Sequence, residues 1–198
     1  MTGHFSTAYL PPVDWFRGVL QYGTICLEQN ESWQKQTYRN RCYILGPNGV
    51  QMLNIPILHN EHKNVMGTVE ISYAENWQRT HWQAIKTAYG SAPFFEILGP
   101  ELEDFYTKKI TRLFDWNLEL IKLMLDWLVL DKPIALSSEW NPKVENDHRE
   151  DFHPKRASNS IFDPYPQVFT SDKTFAPNLS VIDLLFNEGP AAFDYLKS

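Results

Sequence analysis

The spacing of apolar and polar positions sets out a short strand, a helix and a second strand before residue 30. His4 to Tyr9 is extended and partly apolar. Pro11 and Pro12 then suit a first helical turn, where a missing N–H costs nothing. Trp15, Phe16, Val19 and Leu20 give that helix an apolar face, which Gly18 weakens. Gly23 stops it, and the apolar run "TICLE" (24–28) reads as a buried strand. Strand, helix and strand in so few residues predict a βαβ unit with a parallel pair. Two apolar runs, 41–45 and 50–57, flank Gly46-Pro47-Asn48-Gly49 and predict a β-hairpin. "GTVEISY" (67–73) alternates and predicts one more strand.

The middle of the chain turns helical. From Trp77, residues His81, Ala84, Ile85 and Ala88 recur at helical spacing until Ser91-Ala92-Pro93. Pro100 opens another helix, with Leu102, Phe105 and Tyr106 on its buried side. The clearest helix runs from about Thr111 to Leu130, with a seam of Phe114, Leu118, Ile121, Leu125 and Leu128. Asp115, Glu119, Lys122 and Asp126 form its opposite stripe. "PIALSSEW" (133–140) returns to the sheet, and 141–160, with almost no apolar content, is a polar loop or lid. A short buried helix follows Ser180, which forms a capping box with Asp183, and Gly189-Pro190 breaks it. The pattern predicts an α/β fold: a single domain over 1–198, with a mixed β-sheet begun by the βαβ unit, a hairpin and covering helices.

Composition narrows the function classes. An apolar fraction of 43% with 21% charged residues is that of a folded domain. A net charge of -6 argues against general nucleic-acid binding, which needs a basic face. The most hydrophobic stretch carries Asp115, Glu119, Lys122 and Asp126, so no membrane span is expected. The first residues meet Pro11, Pro12, Asp14 and Arg17 without an apolar run, which argues against a signal peptide and for a cytoplasmic protein. Cys26 and Cys42 read as buried, reduced thiols.

Candidate chemistry gathers in a few places. "QKQTYRNR" (34–41) carries three cations and no acid in an acidic chain. Lys35, Arg39 and Arg41 either converge with amide donors on a phosphate or carboxylate, or solvate a surface loop. His4, Ser6, Thr7 and Tyr9 lie at a strand-to-helix turn, where α/β proteins gather ligands, although no glycine-rich phosphate signature is present. His4 either lines such a site or caps a strand. His81, on the apolar face of its helix, is either a core imidazole or a general base. His59 to His62, and the run Asp147 to His153, hold ligand types without zinc-site spacing, so no metal is expected. No cofactor can be named, and no serine-hydrolase elbow occurs.

The blocks "YLPP", "QTYRNRCYILGPNG", "WQRTHWQAI" followed by "YGSAPFF", and "LSVIDLLFNEGP" together resemble the WbqC-like protein family over most of the chain. In other members the first block often reads Gln-Pro before a Tyr and a Pro, whereas Ser6-Thr7-Ala8 precede Tyr9 here. The basic block often reads Trp-x-Asn-Arg, and Tyr38, Asn40 and Arg41 hold those places. The resemblance implies a place among proteins of surface polysaccharide synthesis, one of which has been proposed to transfer glycine to an amino sugar.

These readings give one leading expectation. A cytoplasmic transferase would hold an anionic small-molecule substrate (a sugar, nucleotide-sugar or acyl donor) with Lys35, Tyr38, Arg39, Asn40 and Arg41. Tyr9 and His4 would line the turn, and His81 would act as acid and base, with His4 as a second catalytic candidate. The alternative is a non-catalytic module for carbohydrate or protein, with Trp15, Trp33, Trp77, Trp82 and Tyr38 as stacking surfaces. A nucleotidyl- or phosphoryl-transfer enzyme is a third reading, permitted by the βαβ start but carried by no motif.

Overall fold

The computed structural model describes residues 1–58, 65–158, 160–170 and 174–198. The opening unit is as its pattern predicts. Strand β1 (Thr2–Ser6) buries Gly3 and Phe5 in alternation, helix α1 (Val13–Leu20) follows Pro12, and β2 (Thr24–Glu28) lies parallel to β1. Leu10 makes the turn between β1 and α1 with a φ of 41°, a strained conformation for a bulky residue, held by complete burial. Gly18 is explained by space: a Cβ there would sit 2.8 Å from the tip of the Phe152 ring. The helix ends at Gln21, two residues before Gly23.

Strand β5 (Ile134–Leu136) adds parallel to β2, giving the order β1-β2-β5. The free side of β1 is covered by the polar loop. His4 and Asp147 form a parallel bridge, with His4 N–H donating to the Asn146 carbonyl and His148 N–H to the His4 carbonyl. The hairpin of β3 (Arg41–Gly46) and β4 (Gly49–Asn54) turns through Gly49 at a φ of 97°, where glycine alone is unstrained. Parallel and antiparallel strands therefore lie in two sheets, not in one mixed sheet.

Helices α2 (Trp77–Tyr89), α3 (Phe95–Phe105) and α4 (Leu113–Trp127) supply the main core. Pro100 lies inside α3 instead of opening it. Gly99 before it lacks the Cβ that would clash with the proline ring in a helical backbone. Helix α4 buries a broader face than a single seam, adding Trp116, Asn117, Leu120 and Met124, while Glu119, Lys122 and Asp126 are exposed as expected. Segment 67–73 is not a ladder strand. It opens in a 3₁₀ turn (Met66–Thr68); its alternating residues Val69 and Ile71 are buried, and its pairing is limited to single bridges, Ile57 to Ile71 and Glu70 to Arg112. Alternation there reports burial on one side, without a neighbouring strand among the described residues to extend the pairing.

The C-terminal helices α5 (Val181–Glu188) and α6 (Ala192–Lys197) are separated by a 3₁₀ turn that begins at Gly189. Ser180 caps α5 by accepting from Ile182 N–H. Asp183 does not complete a capping box: it is buried and accepts from Tyr165 Oη at 2.6 Å and Gln167 Nε2 at 2.8 Å. Cys26 and Cys42 are buried and free. No helix among the described residues is long and apolar enough to cross a membrane.

Candidate functional site

Ser6 ends β1, Glu28 ends β2 and Ser137 follows β5, so three parallel strands deliver polar side chains to one edge. These are the carboxyl ends of the parallel strands, outside which open α/β sheets bind ligands. Two arginines enter it from loops. Arg39 meets Glu31 through Nε at 2.8 Å and Nη2 at 2.5 Å, and Nη2 also donates to Ser6 Oγ at 2.8 Å. Arg149 Nη1 lies 3.1 Å from Glu28, and its Nη2 and Nε lie 2.6 and 2.8 Å from the two Asp147 oxygens. The Arg149 hydrogen bonds hold the Asp147 carboxyl below its usual range. Glu28 also accepts from Asn30 N–H and pairs with the Ser137 hydroxyl.

Arg39 is therefore buried and its charge is balanced within the fold by a bidentate carboxylate. Its partner Glu31 sits just past an apolar strand and eight residues before Arg39. That proximity is the signal the sequence offered, since a buried arginine requires a carboxylate. The other expected residues are dispersed. Lys35 is exposed; Asn40 Nδ2 ties the Asn54 side chain to the Ile55 carbonyl; Arg41 begins β3, and its Nε has no partner among the described residues. Tyr38 is half-buried, with burial pushing its phenol up to about 12. His4 joins the site through its main chain.

His81 and Tyr9 lie together in the aromatic core. The Tyr9 hydroxyl is 2.9 Å from His81 Nδ1 and 2.5 Å from the Tyr106 hydroxyl, and Trp77 meets the imidazole edge-on. Burial pushes His81 down to about 4, offset in part by a hydrogen bond to the Asn54 main chain. Its imidazole is neutral at pH 7. Trp15, Trp33, Trp77 and Trp82 are each 7% exposed or less, so they form no open stacking groove. The His59 to His62 ligand run lies outside the described residues.

His148 faces a cavity. A cleft of about 630 Å³ runs along α1 between that helix and the loop 148–160, with Asp14, Arg17, Tyr22, His148, Asp151 and Arg156 in its wall. His148 and Phe152 also wall a small recess with Thr7, Tyr38, Arg39 and Arg149, so the cleft abuts the strand-end network. Within the cleft, Asp151 Oδ2 lies 2.7 Å from His148 Nδ1, and the Tyr22 hydroxyl lies 2.6 Å from His148 Nε2. A carboxylate accepts only, so Nδ1 carries the proton and Nε2 accepts from the phenol. Phe5 stacks on the imidazole at 5.1 Å. Tyr22 packs over Gly3, where a Cβ would come within 2.5 Å of its ring, and Lys132 Nζ binds the Val19 and Tyr22 carbonyls. The sequence placed His148 and Asp151 only among metal ligands, because their contact with Tyr22 spans 126 positions. Among the described residues no cluster of three or more His, Cys, Asp and Glu is arranged to hold a metal ion.

Comparison with known proteins bears on the whole chain. The profile of the WbqC-like protein family matches residues 7–159 and 150–195. The chain is 21% identical to "Uncharacterized protein Rv1507c" of Mycobacterium tuberculosis, over 96% of this chain and 94% of that protein. No solved structure gives a significant match.

Proposed function

We propose, from the premise that the chain belongs to the WbqC-like protein family, that it is a cytoplasmic transferase of cell-surface polysaccharide biosynthesis. Its substrate is an amino sugar carried on a phosphate or nucleotide, and the group transferred is an aminoacyl group, glycyl being the smallest. The cleft along α1 is the binding site. The single observation behind this reading is the cleft's combination of size and charge. Its volume of about 630 Å³ suits a nucleotide-sugar-sized ligand, and its wall holds two guanidiniums, Arg17 and Arg156, while its two carboxylates are occupied, Asp14 by the Ser158 and Ser160 hydroxyls and Asp151 by His148. Among the described residues neither is paired with a carboxylate; Arg17 donates to the Ile161 and Tyr195 carbonyls, and Arg156 to the Glu150 carbonyl. Carbonyls accept hydrogen bonds from these guanidiniums without neutralising them, so their charges remain available to a phosphate, in contrast to Arg39 and Arg149.

The test is calorimetric titration with UDP-linked 2-amino and 4-amino hexoses, compared with uridine and with the free sugars. Saturable binding of a UDP-amino sugar, weakened at least tenfold by Arg156→Ala, supports the reading. Binding of none of them, or binding indifferent to Arg156, refutes it.

A further inference from the structure

We infer that Tyr22, His148 and Asp151 form the acid–base unit of this cleft, with Tyr22 as the catalytic residue that meets the acceptor. The inference rests on the transferase reading for its substrate, but the relay stands on geometry alone. A phenol hydrogen-bonded to an imidazole, which is in turn oriented by a carboxylate, is a directed proton path. Each link is within normal hydrogen-bond length, at 2.6 and 2.7 Å. The unit is held from both sides. Phe5 stacks against the imidazole, and the main chain around His148 is fixed by its bridge to β1. Tyr22 is seated on Gly3, and the Lys132 ammonium grips its carbonyl.

Two further features separate this unit from a structural hydrogen bond. All three side chains line the cleft beside Arg17 and Arg156, so a ligand held there lies against Tyr22. His148 is also partly open, at 25% side-chain exposure, whereas His81, the other imidazole bonded to a tyrosine, is sealed in the core. An imidazole that must gain and lose a proton in each cycle needs such access to the reacting group.

The acceptor's neutral amine attacks the carbonyl carbon of an aminoacyl thioester, forming the C–N bond. The departing N–H proton goes to Tyr22 Oη while the Tyr22 proton moves to His148 Nε2, and Asp151 stabilises the imidazolium. Collapse of the tetrahedral intermediate breaks the C–S bond, and the proton returns through Tyr22 to the leaving thiolate. Tyr22 and His148 end as they began. Asp151 is a positioning residue, because it acts through His148.

The decisive experiment needs no natural substrate. The intact protein is treated with p-nitrophenyl acetate, and initial acetylation at each tyrosine is followed by peptide mass spectrometry. In this probe reaction the Tyr22 oxygen–acyl bond forms, p-nitrophenolate leaves, and the phenol proton goes to His148. Tyr22 is expected to react fastest of the nine tyrosines. His148→Gln is expected to slow Tyr22 acetylation by about 10²-fold, and Asp151→Asn by a smaller factor. Asp151 is 55% exposed, so that variant keeps the fold and decides the matter if His148→Gln does not. Tyr22 labelling at the rate of the other surface tyrosines, or labelling indifferent to the folded variants, overturns the relay. Tyr22→Phe is expected to lose glycyl transfer from glycyl-N-acetylcysteamine thioester to a UDP-amino sugar, far beyond any change in its binding of that sugar. Activated Tyr22 without any UDP-amino sugar binding overturns the transferase reading alone. Binding with an ordinary Tyr22 overturns the relay alone.

Discussion

Acidification tests the placement of His81 most quantitatively. In the unfolded chain this imidazole titrates near its ordinary value of 6.5, whereas burial holds it down to about 4 in the folded state. Above pH 6.5 it is neutral in both states and contributes no pH dependence. As pH falls below 6.5 the unfolded chain takes up a proton that the folded protein refuses, so stability is lost until pH reaches about 4. At about 1.4 kcal/mol per pH unit, the full gap amounts to about 3 kcal/mol, and the part between pH 7 and 4.5 to about 2–3 kcal/mol. His81→Phe keeps an aromatic ring among Trp77 and Tyr9 and leaves the Tyr9 hydroxyl with Tyr106 as partner. Urea unfolding at a series of pH values, for wild type and variant, isolates the difference from the acid sensitivity of shared carboxylates. The wild type should lose about 2–3 kcal/mol more than His81→Phe between pH 7 and 4.5. Equal acid slopes, or an NMR titration of His81 near 6.5, would refute the reasoning.

Gly3→Ala should displace Tyr22 without removing any polar group, because the added Cβ would meet the Tyr22 ring at 2.5 Å and the Phe5 ring at 2.7 Å. Thermal unfolding should show a loss of about 1–3 kcal/mol, and acetylation of Tyr22 should fall with it. Arg39→Met leaves Glu31 buried and unpaired, at a cost of about 3–5 kcal/mol in denaturant unfolding. The double variant Arg39→Met, Glu31→Met should recover most of that loss; if it is as unstable as the single variant, the ion pair is not what holds the segment. Arg149→Met should destabilise on the same scale by freeing Glu28 at 3% exposure, whereas Lys35→Ala, at an exposed position, should change unfolding by less than about 0.5 kcal/mol.

Much of the architecture was legible because local rules and tertiary packing agree. Pro11-Pro12 before an apolar stripe, the Gly46–Gly49 turn and the α4 pattern each met the partner that their periodicity implied. Where they failed, the cause was non-local. The 67–73 alternation is real, but among the described residues no strand lies alongside to make a ladder. The site was less legible for the same reason. Eight donor-rich residues drew attention to 34–41, yet the charge of Arg39 depends on Glu31 and Ser6, and that of Arg149 on Glu28, 121 positions away. Loop 141–160 read as a polar loop or lid because, among its described residues, the strand-like contact is borrowed from β1 and the rings of His148 and Phe152 anchor it on distant Phe5.

The central claim is that substrate binds in the cleft along α1, against Tyr22. A crystal structure with a UDP-amino sugar measures this directly. The account predicts the phosphates at Arg17 and Arg156 and the sugar amine within hydrogen-bond distance of the Tyr22 hydroxyl. Ligand instead on the outer surface at Lys35 and Arg41, with the α1 cleft unfilled at saturation, would contradict it.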